Sequence, residues 1–237
     1  MENKFTARTA LILGEDGIEK LKNSHVLVIG VGGVGSFCVE ALVRCGVGNI
    51  TIVDYAEVEV MDINRQLPGL TSTLGKDKVE VVKERLLDIN NDLNINAIKA
   101  TYNNESSGEI FNTKYDYVAD AIDMVSSKKH LVEECIKRDI PVISSMGMGN
   151  KLDPTKIEVS DISKTHTCPL AKVVRKELRD RDIEHLKVVF SAEHPLEVKE
   201  KVSNGHRILP GSIAFMSPAG GLVLASEVVK DILNINQ

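Results

Sequence analysis

Residues Val28–Asp54 have the sequence VIGVGGVGSFCVEALVRCGVGNITIVD, which carries the clearest indication of the fold. The apolar run His25–Gly30 is typical of a buried strand, and a glycine-rich loop follows it directly. Val34–Cys45 is an apolar stretch of helical length, and Asn49–Asp54 is a second apolar run that ends in an acid. A strand, a glycine loop, a helix and a second strand in this order predict two parallel strands joined by a helix.

The rest of the first half continues this alternation. Apolar residues at helical spacing predict a helix within Thr73–Asn90, and apolar runs predict strands over Ile95–Tyr102, Tyr115–Asp123 and Ile140–Gly147. A helix that ends near Lys137 is expected between the last two strands. Strands that alternate with helices predict an α/β fold with a Rossmann-like, doubly wound and mainly parallel sheet, whose ligands bind at the carboxyl ends of the strands.

The second half shows a weaker alternation. We predict a strand over Lys156–Ser163, a helix over Cys168–Arg181 and a strand over Leu186–Glu193. No linker-like stretch rich in Pro, Gly or Ser separates the two halves. The sequence therefore predicts one domain over residues 1–237, in which 1–149 build most of the sheet and 150–237 form an elaborated C-terminal part.

Composition and cysteine usage restrict the class of protein. The net charge is -5, so binding to nucleic acid requires a local basic patch and does not come from the overall charge. No two of the four cysteines form a Cys-x-x-Cys pair, so we predict no zinc site, and nothing suggests a disulfide framework. The first twenty residues carry charges throughout, which argues against a signal peptide. We predict a cytoplasmic protein.

The uncharged stretch Ile208–Ser226 is nearly long enough to cross a bilayer. Prolines and glycines interrupt it, however, and Ser217 followed by Pro218 is typical of a helix cap and the first helical residue. We therefore predict a buried C-terminal helix over Pro218–Leu233 and no membrane span.

The glycine loop has the spacing Gly30-x-Gly32-x-x-Gly35, between a strand and a helix. Glycines let the backbone approach phosphate oxygens, and the start of the helix offers unpaired amides to an anion. Asp54 lies at the end of the next strand, where a carboxylate can accept hydrogen bonds from ribose hydroxyls. The pattern predicts a nucleotide site, although glycines that serve only tight packing of the strand against the helix would look similar.

Polar residues after Asp54 bear on which nucleotide is bound. Asn64, Arg65 and Gln66 follow one another in a loop beside the expected cleft, Lys78 lies on the next helix, and Asp123 ends the fourth predicted strand. Transfer of a hydride needs no such cations, whereas transfer of a nucleotidyl group needs cations and Mg²⁺ to neutralise the charge on phosphorus. The short-chain dehydrogenase pattern Tyr-x-x-x-Lys is absent. ATP is therefore favoured over NAD.

A basic stripe is predicted on the helix that starts near Pro169. Its residues recur at i, i+3, i+4 and i+7 and share one face, namely Lys172, Arg175, Lys176 and Arg179. The apolar residues Leu170, Val173, Val174 and Leu178 are expected to face the core. The stripe suits a phosphate backbone, although an ordinary solvated helix face has the same pattern. Arg207 is a further candidate for contact with nucleic acid or a substrate carboxylate.

Several separated motifs within Arg8–Gly149 together resemble the ThiF/MoeB-like adenylating enzymes, which are related to ubiquitin activators. These motifs are the glycine loop, Asp54, the NRQ sequence at Asn64–Gln66, the LGKDKV sequence that holds Lys78, and the DAID sequence that ends at Asp123. The sequence ARTALILG, which begins at Ala7, resembles the N-terminal segment of that superfamily.

The resemblance implies a role for each matching residue. The nucleotide loop comprises Gly30, Gly32, Gly33, Val34 and Gly35, and Asp54 binds the ribose. Contacts to the phosphates come from Asn64, Arg65, Gln66 and Lys78, and Asp123 binds Mg²⁺. The resemblance further implies that Arg8 reaches across a homodimer into the ATP site of the other protomer. We therefore expect residues 1–149 to form a nucleotide-binding half and residues 150–237 to bind the substrate and tRNA.

The second half is similar to the branch of the superfamily that dehydrates threonylcarbamoyladenosine in tRNA, in the sequences DISKTHTCPLAKVVRKELR and VVFSAEHP. In that branch ATP activates the carboxylate of the modified adenosine, and ring closure follows with net loss of water. Two alternative functions stay open: an adenylyltransferase for a ubiquitin-like sulfur carrier, and an NAD-dependent oxidoreductase. A cysteine desulfurase-type partner is a further expectation from the resemblance. Whether Cys168 has a covalent role is a question that the sequence leaves open, because ring closure within the substrate requires no enzyme nucleophile.

Overall fold

The computed structural model describes residues 5–200 and 209–235. Seven strands are described, numbered in chain order: β1 (His25–Ile29), β2 (Asn49–Asp54), β3 (Asn94–Lys99), β4 (Tyr117–Asp120), β5 (Val142–Ser145), β6 (Ile157–Asp161) and β7 (Lys187–Ser191). They form one sheet with the order β3-β2-β1-β4-β5-β7-β6. All neighbours are parallel except β6, which is antiparallel to β7. The predicted doubly wound, mainly parallel sheet is confirmed.

Helices cover both faces of this sheet. They are α1 (Ala7–Asn23), α2 (Gly35–Cys45), α3 (Lys78–Ile89), α4 (Asn104–Ile110), α5 (Val125–Lys137), α6 (Pro169–Arg179) and α7 (Met216–Leu233). Alternate residues of β1 enter different cores: Val26 and Val28 pack with residues of α2 and α7, whereas Leu27 and Ile29 pack with residues of α4 and α5. A strand that is buried on both faces is a continuous apolar run, and this explains the sequence of β1.

Several helix boundaries differ from the sequence prediction. The predicted helix from Thr73 begins only at Lys78, because Gly75 has a φ of 76° and separates it from a short 3-10 turn at Thr71–Thr73. The helix predicted from Pro218 begins at Met216, and its capping residue is Phe215, so the assignment of Ser217 as the cap was wrong. The N-terminal helix α1 is an element that the sequence analysis did not predict.

Helix α7 packs closely against α2, and glycine makes this approach possible. A Cβ atom at Gly221 would lie 2.2 Å from the carbonyl oxygen of Val34, the residue that caps α2. The contact holds the start of α7 beside the loop between β1 and α2. In the described part of the chain, no helix has both the length and the apolar character needed to cross a membrane.

Candidate functional site

The loop between β1 and α2 is shaped by close backbone contacts that exclude side chains. Gly30 has a φ of 87°, and a Cβ there would lie 2.7 Å from the carbonyl oxygen of Ala121. A Cβ at Gly35 would lie only 1.7 Å from the carbonyl oxygen of Gly30. Glycine is therefore required at both positions. The turn directs the first amides of α2 towards the carboxyl edge of the sheet, where they suit an anion.

Asp54 ties this loop to the end of β2. Its Oδ2 accepts a hydrogen bond from the backbone N–H of Val31 at 2.8 Å, and its Oδ1 accepts one from the N–H of Ala56 at 2.9 Å. The carboxylate is partly exposed beside the glycine loop, where the sequence analysis expected it. A carboxylate oxygen has two lone pairs, so these bonds leave capacity to accept from ribose hydroxyls.

The segment from Asn64 to Gln66 packs against the glycine loop. A Cβ at Gly33 would meet the Cγ of Arg65 at 3.4 Å, and a Cβ at Gly32 would meet the side-chain amide of Gln66 at 3.7 Å. The sequence-predicted residues of these two loops therefore lie together. Gln66 is buried, and within the described part of the chain its Oε1 has no hydrogen-bond partner. An orphaned acceptor beside a glycine loop fits a site that a polar ligand completes.

One carboxylate, Asp62, links the cations of this segment. Its Oδ2 lies 2.9 Å from Lys78 Nζ, and its Oδ1 lies 3.8 Å from Arg65 Nη2. The same Oδ1 accepts a hydrogen bond from Gln66 Nε2 at 2.5 Å. Asn64 lies at the rim, where its Nδ2 donates to the carbonyl oxygen of Ser212 at 3.0 Å and its Oδ1 accepts from Arg65 Nη1 at 2.9 Å.

The floor of the cleft contains a fully buried ion pair between β4, β5 and α5. Lys128 Nζ donates to Asp120 Oδ2 at 2.7 Å, to Ser144 Oγ at 2.9 Å and to the carbonyl oxygen of Ser145 at 3.0 Å. Asp120 Oδ1 accepts from the N–H of Ile122 at 3.0 Å. These bonds fix the turn after β4 against the glycine loop.

Asp123 follows that turn, just before α5. Since Ala121 contacts Gly30 and Gly35, the chain places Asp123 at the same edge of the sheet as the glycine loop. Among residues 5–200 and 209–235, no three His, Cys, Asp or Glu side chains converge as a metal cluster. Mg²⁺ in nucleotide sites is held by one or two carboxylates together with phosphate oxygens, so a single Asp fits that chemistry.

Arg8 lies away from this cleft in its own chain. Thr6, two residues before Arg8, contacts Gly46, and Gly46 caps the C-terminal end of α2. The glycine loop is at the opposite end of α2, about 15 Å away for an 11-residue helix. Arg8 is exposed. The structure therefore does not bring Arg8 to the nucleotide site of the same chain.

The basic stripe on α6 is smaller than predicted. Lys172, Lys176 and Arg179 are exposed, but the guanidinium of Arg175 donates to the carbonyl oxygen and the hydroxyl of Thr165 at 2.8 and 2.6 Å. Arg175 therefore stabilises the turn before α6. The expectation that Val173 faces the core was wrong too, because 46% of it is exposed. Arg207 lies outside the described residues.

Cys168 is buried at the start of α6, where its Sγ lies 3.9 Å from the carbonyl oxygen of Gly147. Lys151 is buried close by and donates to the carbonyl oxygens of Gly147 and Ser191 at 3.1 and 3.0 Å. Burial lowers the pKa of Lys151, and the nearby Cys168 and Glu193 oppose this shift. The four cysteines are all free thiols.

Sequence reasoning missed three residues of the cleft, namely Asp62, Lys128 and Ser217. Ser217 lies against the glycine loop, because a Cβ added at Gly33 would be 3.0 Å from the Cβ of Ser217. Asp62 lies three residues before Arg65, and this spacing in the sequence could have indicated an ion pair between the two side chains. Lys128 is an ordinary helical lysine by sequence, and only the fold shows that it is buried.

With this geometry in place, comparison with known proteins decides the family. The ThiF family model matches residues 6–237. The chain belongs to the ThiF family. A relative from Bacillus subtilis, named tRNA threonylcarbamoyladenosine dehydratase, is 46% identical over 96% of this chain and 94% of its own length. A molybdopterin-synthase adenylyltransferase from Haemophilus influenzae is 36% identical, but over only 54% of this chain.

Solved structures agree with that assignment. The crystal structure of the Escherichia coli tRNA N6-threonylcarbamoyladenosine dehydratase in complex with ATP superposes with a TM-score of 0.88 at 31% identity. The match covers 97% of this chain and 93% of that structure. Both the sheet and the C-terminal part are therefore shared with a protein of that name.

Proposed function

We propose that this chain is an ATP-dependent dehydratase that cyclises N6-threonylcarbamoyladenosine in tRNA. The observation that carries the proposal is the joining of the glycine loop to Arg65, Gln66 and Lys78 at the carboxyl edge of the sheet. Amides and two cations suit the phosphates of a nucleoside triphosphate, and the buried acceptor Oε1 of Gln66 suits a hydroxyl or amino donor of the nucleoside. The relative that matches 96% of the chain carries the name of this activity.

The chemistry proceeds in two steps. An oxygen of the threonylcarbamoyl carboxylate attacks the α-phosphorus of ATP, the bond to the β-phosphate breaks, and pyrophosphate leaves with its electron pair. The carbamoyl group then attacks the activated carbonyl carbon, AMP leaves with the former carboxylate oxygen, and one proton is released. The net change in the nucleoside is loss of water. Ring closure within one molecule gains from orientation, by up to roughly 7–11 kcal/mol in favourable cases.

The chain's own residues act mainly by position and charge. Arg65 and Lys78 neutralise the charge that builds on the phosphates as the P–O bond breaks. Asp54 orients the ribose. Asp123 is the residue that would hold Mg²⁺, and the metal, when bound, supplies further neutralisation of the phosphate oxygens.

We also propose that the active form is a homodimer in the cytoplasm. Arg8 cannot serve the cleft of its own chain, and a second copy would bring the Arg8 of the partner to it. The apolar side chains of Leu11 and Ile12 on the same helix are 72% and 84% exposed. Such exposure on one helix suits a protein contact.

Binding of tRNA is assigned to the exposed part of the stripe on α6, which comprises Lys172, Lys176 and Arg179. The net charge of -5 means that this local excess of positive charge must supply the phosphate contacts. Aromatic residues make up only 4% of the chain, so stacking on bases contributes little. A partner of the cysteine desulfurase type stays a prediction.

Incubation of the protein with ATP, Mg²⁺ and tRNA that carries threonylcarbamoyladenosine tests the proposal. Mass spectrometry of the digested nucleosides should show loss of one water from the modified adenosine, together with formation of AMP. ATP consumption that requires instead a protein with a Gly-Gly tail would identify a sulfur-carrier adenylyltransferase. Tight binding of NAD(H) without binding of ATP would identify an oxidoreductase.

A further inference from the structure

Asp62 holds the phosphate-contacting residues of the cleft although it is an acid itself. Its side chain is 9% exposed. Arg65, Gln66 and Lys78 all lie within hydrogen-bond or ion-pair distance of its two oxygens, and the N–H of Glu59 donates to Oδ2 at 3.0 Å. Three residues assigned to the phosphates therefore share one protein carboxylate as their partner.

We propose that Asp62 is the resident counter-ion of the triphosphate site. This inference rests on the proposed function. In the nucleotide-free chain, Asp62 compensates Lys78, which is only 8% exposed, and keeps it together with Arg65 in the position that the phosphates will need. A buried cation without such a partner would destabilise the fold.

The same carboxylate opposes the ligand. It places one negative charge between the two cations that ATP must contact. This charge partly neutralises them and weakens their attraction for phosphate. Asp62 therefore lowers the affinity for ATP, and it lowers the affinity for pyrophosphate in the same way. When pyrophosphate leaves, Lys78 and Arg65 have a partner to return to, which favours product release. Asp62 is a positioning residue in this account and does not touch the reacting atoms.

The substitution Asp62→Asn tests this role, because it keeps the shape and the acceptor for the N–H of Glu59 but removes the charge. The matched control is Asp77→Asn. It removes the same charge one residue before Lys78, but Asp77 pairs with Lys99 at 2.5 Å. Isothermal titration with ATP and with inorganic pyrophosphate, each with and without Mg²⁺, gives the affinities. Thermal unfolding without nucleotide gives the melting temperature of the nucleotide-free protein.

We expect Asp62→Asn to bind ATP and pyrophosphate at least threefold more tightly than the wild type, both with and without Mg²⁺. We expect a lower melting temperature without ligand and a larger rise on addition of ATP, because at a given ATP concentration the stabilisation increases with the logarithm of the affinity. Asp77→Asn should leave the affinities unchanged. In the Asp62→Asn background, Lys78→Met should cost less stability than in the wild type, because the two side chains are coupled.

Three results would overturn the proposal. Unchanged or weaker binding by Asp62→Asn would show that the carboxylate does not oppose the ligand. Weaker binding only in the presence of Mg²⁺ would make Asp62 a metal ligand. An equal effect in Asp77→Asn would indicate a general effect of net charge. If the wild-type chain binds no ATP, the proposed function fails, and the melting temperatures and the Lys78→Met cycle still decide whether Asp62 stabilises the empty site.

Discussion

Lys128 Nζ lies 2.7 Å from Asp120 Oδ2, and both side chains are completely buried beneath the cleft. Lys128→Met leaves the carboxylate of Asp120 buried without its cation, so we expect a loss of about 3–5 kcal/mol in the free energy of unfolding, measured by urea denaturation. Lys129→Met is the control, because Lys129 pairs with the partly exposed Glu177, and ion pairs that water reaches contribute less than about 1 kcal/mol. Equal losses in the two variants would contradict this account of the floor.

Asp123→Ala should abolish turnover by weakening the binding of Mg²⁺. Because the metal neutralises phosphate charge, a residual rate should reappear as Mg²⁺ is raised, and its half-saturating concentration should shift upwards. The measurement is AMP formation across a Mg²⁺ titration, with ATP binding in the absence of metal as the control for folding. A normal Mg²⁺ profile in the variant would remove Asp123 from the metal site.

The elements of the central sheet could be predicted because their causes are local. A strand buried on both faces is typically a nearly continuous apolar run, as β1 is and as β2 is apart from Thr51, and parallel neighbours are usually joined by a helix. The helix start at Lys78 could not be placed from apolar periodicity, because the positive φ of Gly75 that delays it is a property of the folded backbone. The start at Met216 was missed because Ser217 followed by Pro218 matches the pattern of a cap, whereas the residue that caps the helix is Phe215.

The site residues divide in the same way. The glycine loop, Arg65 and Lys78 are signalled by type and spacing, whereas the partners that position them are set by tertiary packing. Arg175 shows what helical periodicity cannot predict. Its position three residues after Lys172 on α6 predicts a shared face, but its long side chain extends back and donates to Thr165. Periodicity places a Cβ on a helix face, but it does not place the end of a guanidinium.

The double substitution Lys172→Glu/Lys176→Glu should weaken binding of tRNA while leaving the affinity for ATP unchanged. Each lost phosphate contact should also make the salt dependence of binding shallower. Filter binding or fluorescence anisotropy at several salt concentrations measures both effects. The control is Lys156→Glu, a basic residue of a different turn that pairs only with Asp153 in the described ranges 5–200 and 209–235. Wild-type affinity in the double variant would refute the assignment of α6.

His25 makes the stability of the fold depend on pH. Burial lowers the pKa of His25, and the nearby Asp116 opposes this only in part. The folded state therefore takes up the proton less readily than the unfolded state. The contribution of His25 to the free energy of unfolding is complete at pH values above its pKa in the unfolded state, which is about 6.5. This contribution is lost as the pH falls through the lower pKa of the folded state. The melting temperature of His25→Gln should fall less than that of the wild type on acidification, whereas the exposed His194→Gln should follow the wild type. Parallel curves for His25→Gln and the wild type would exclude His25 as the cause.

Cys168→Ala decides whether the reaction passes through the enzyme's own sulfur. The thiol is buried beside the carbonyl of Gly147, and intramolecular ring closure needs no enzyme nucleophile. We therefore expect the variant to retain turnover within roughly tenfold of the wild type, with a modest loss of stability from the smaller side chain. Nucleoside mass spectrometry measures the turnover, and Cys45→Ala, at a half-buried thiol on α2, is the control. Removal of a covalent nucleophile lowers turnover by several orders of magnitude, so a loss of that size, with the fold intact, would establish an acyl-enzyme intermediate at Cys168.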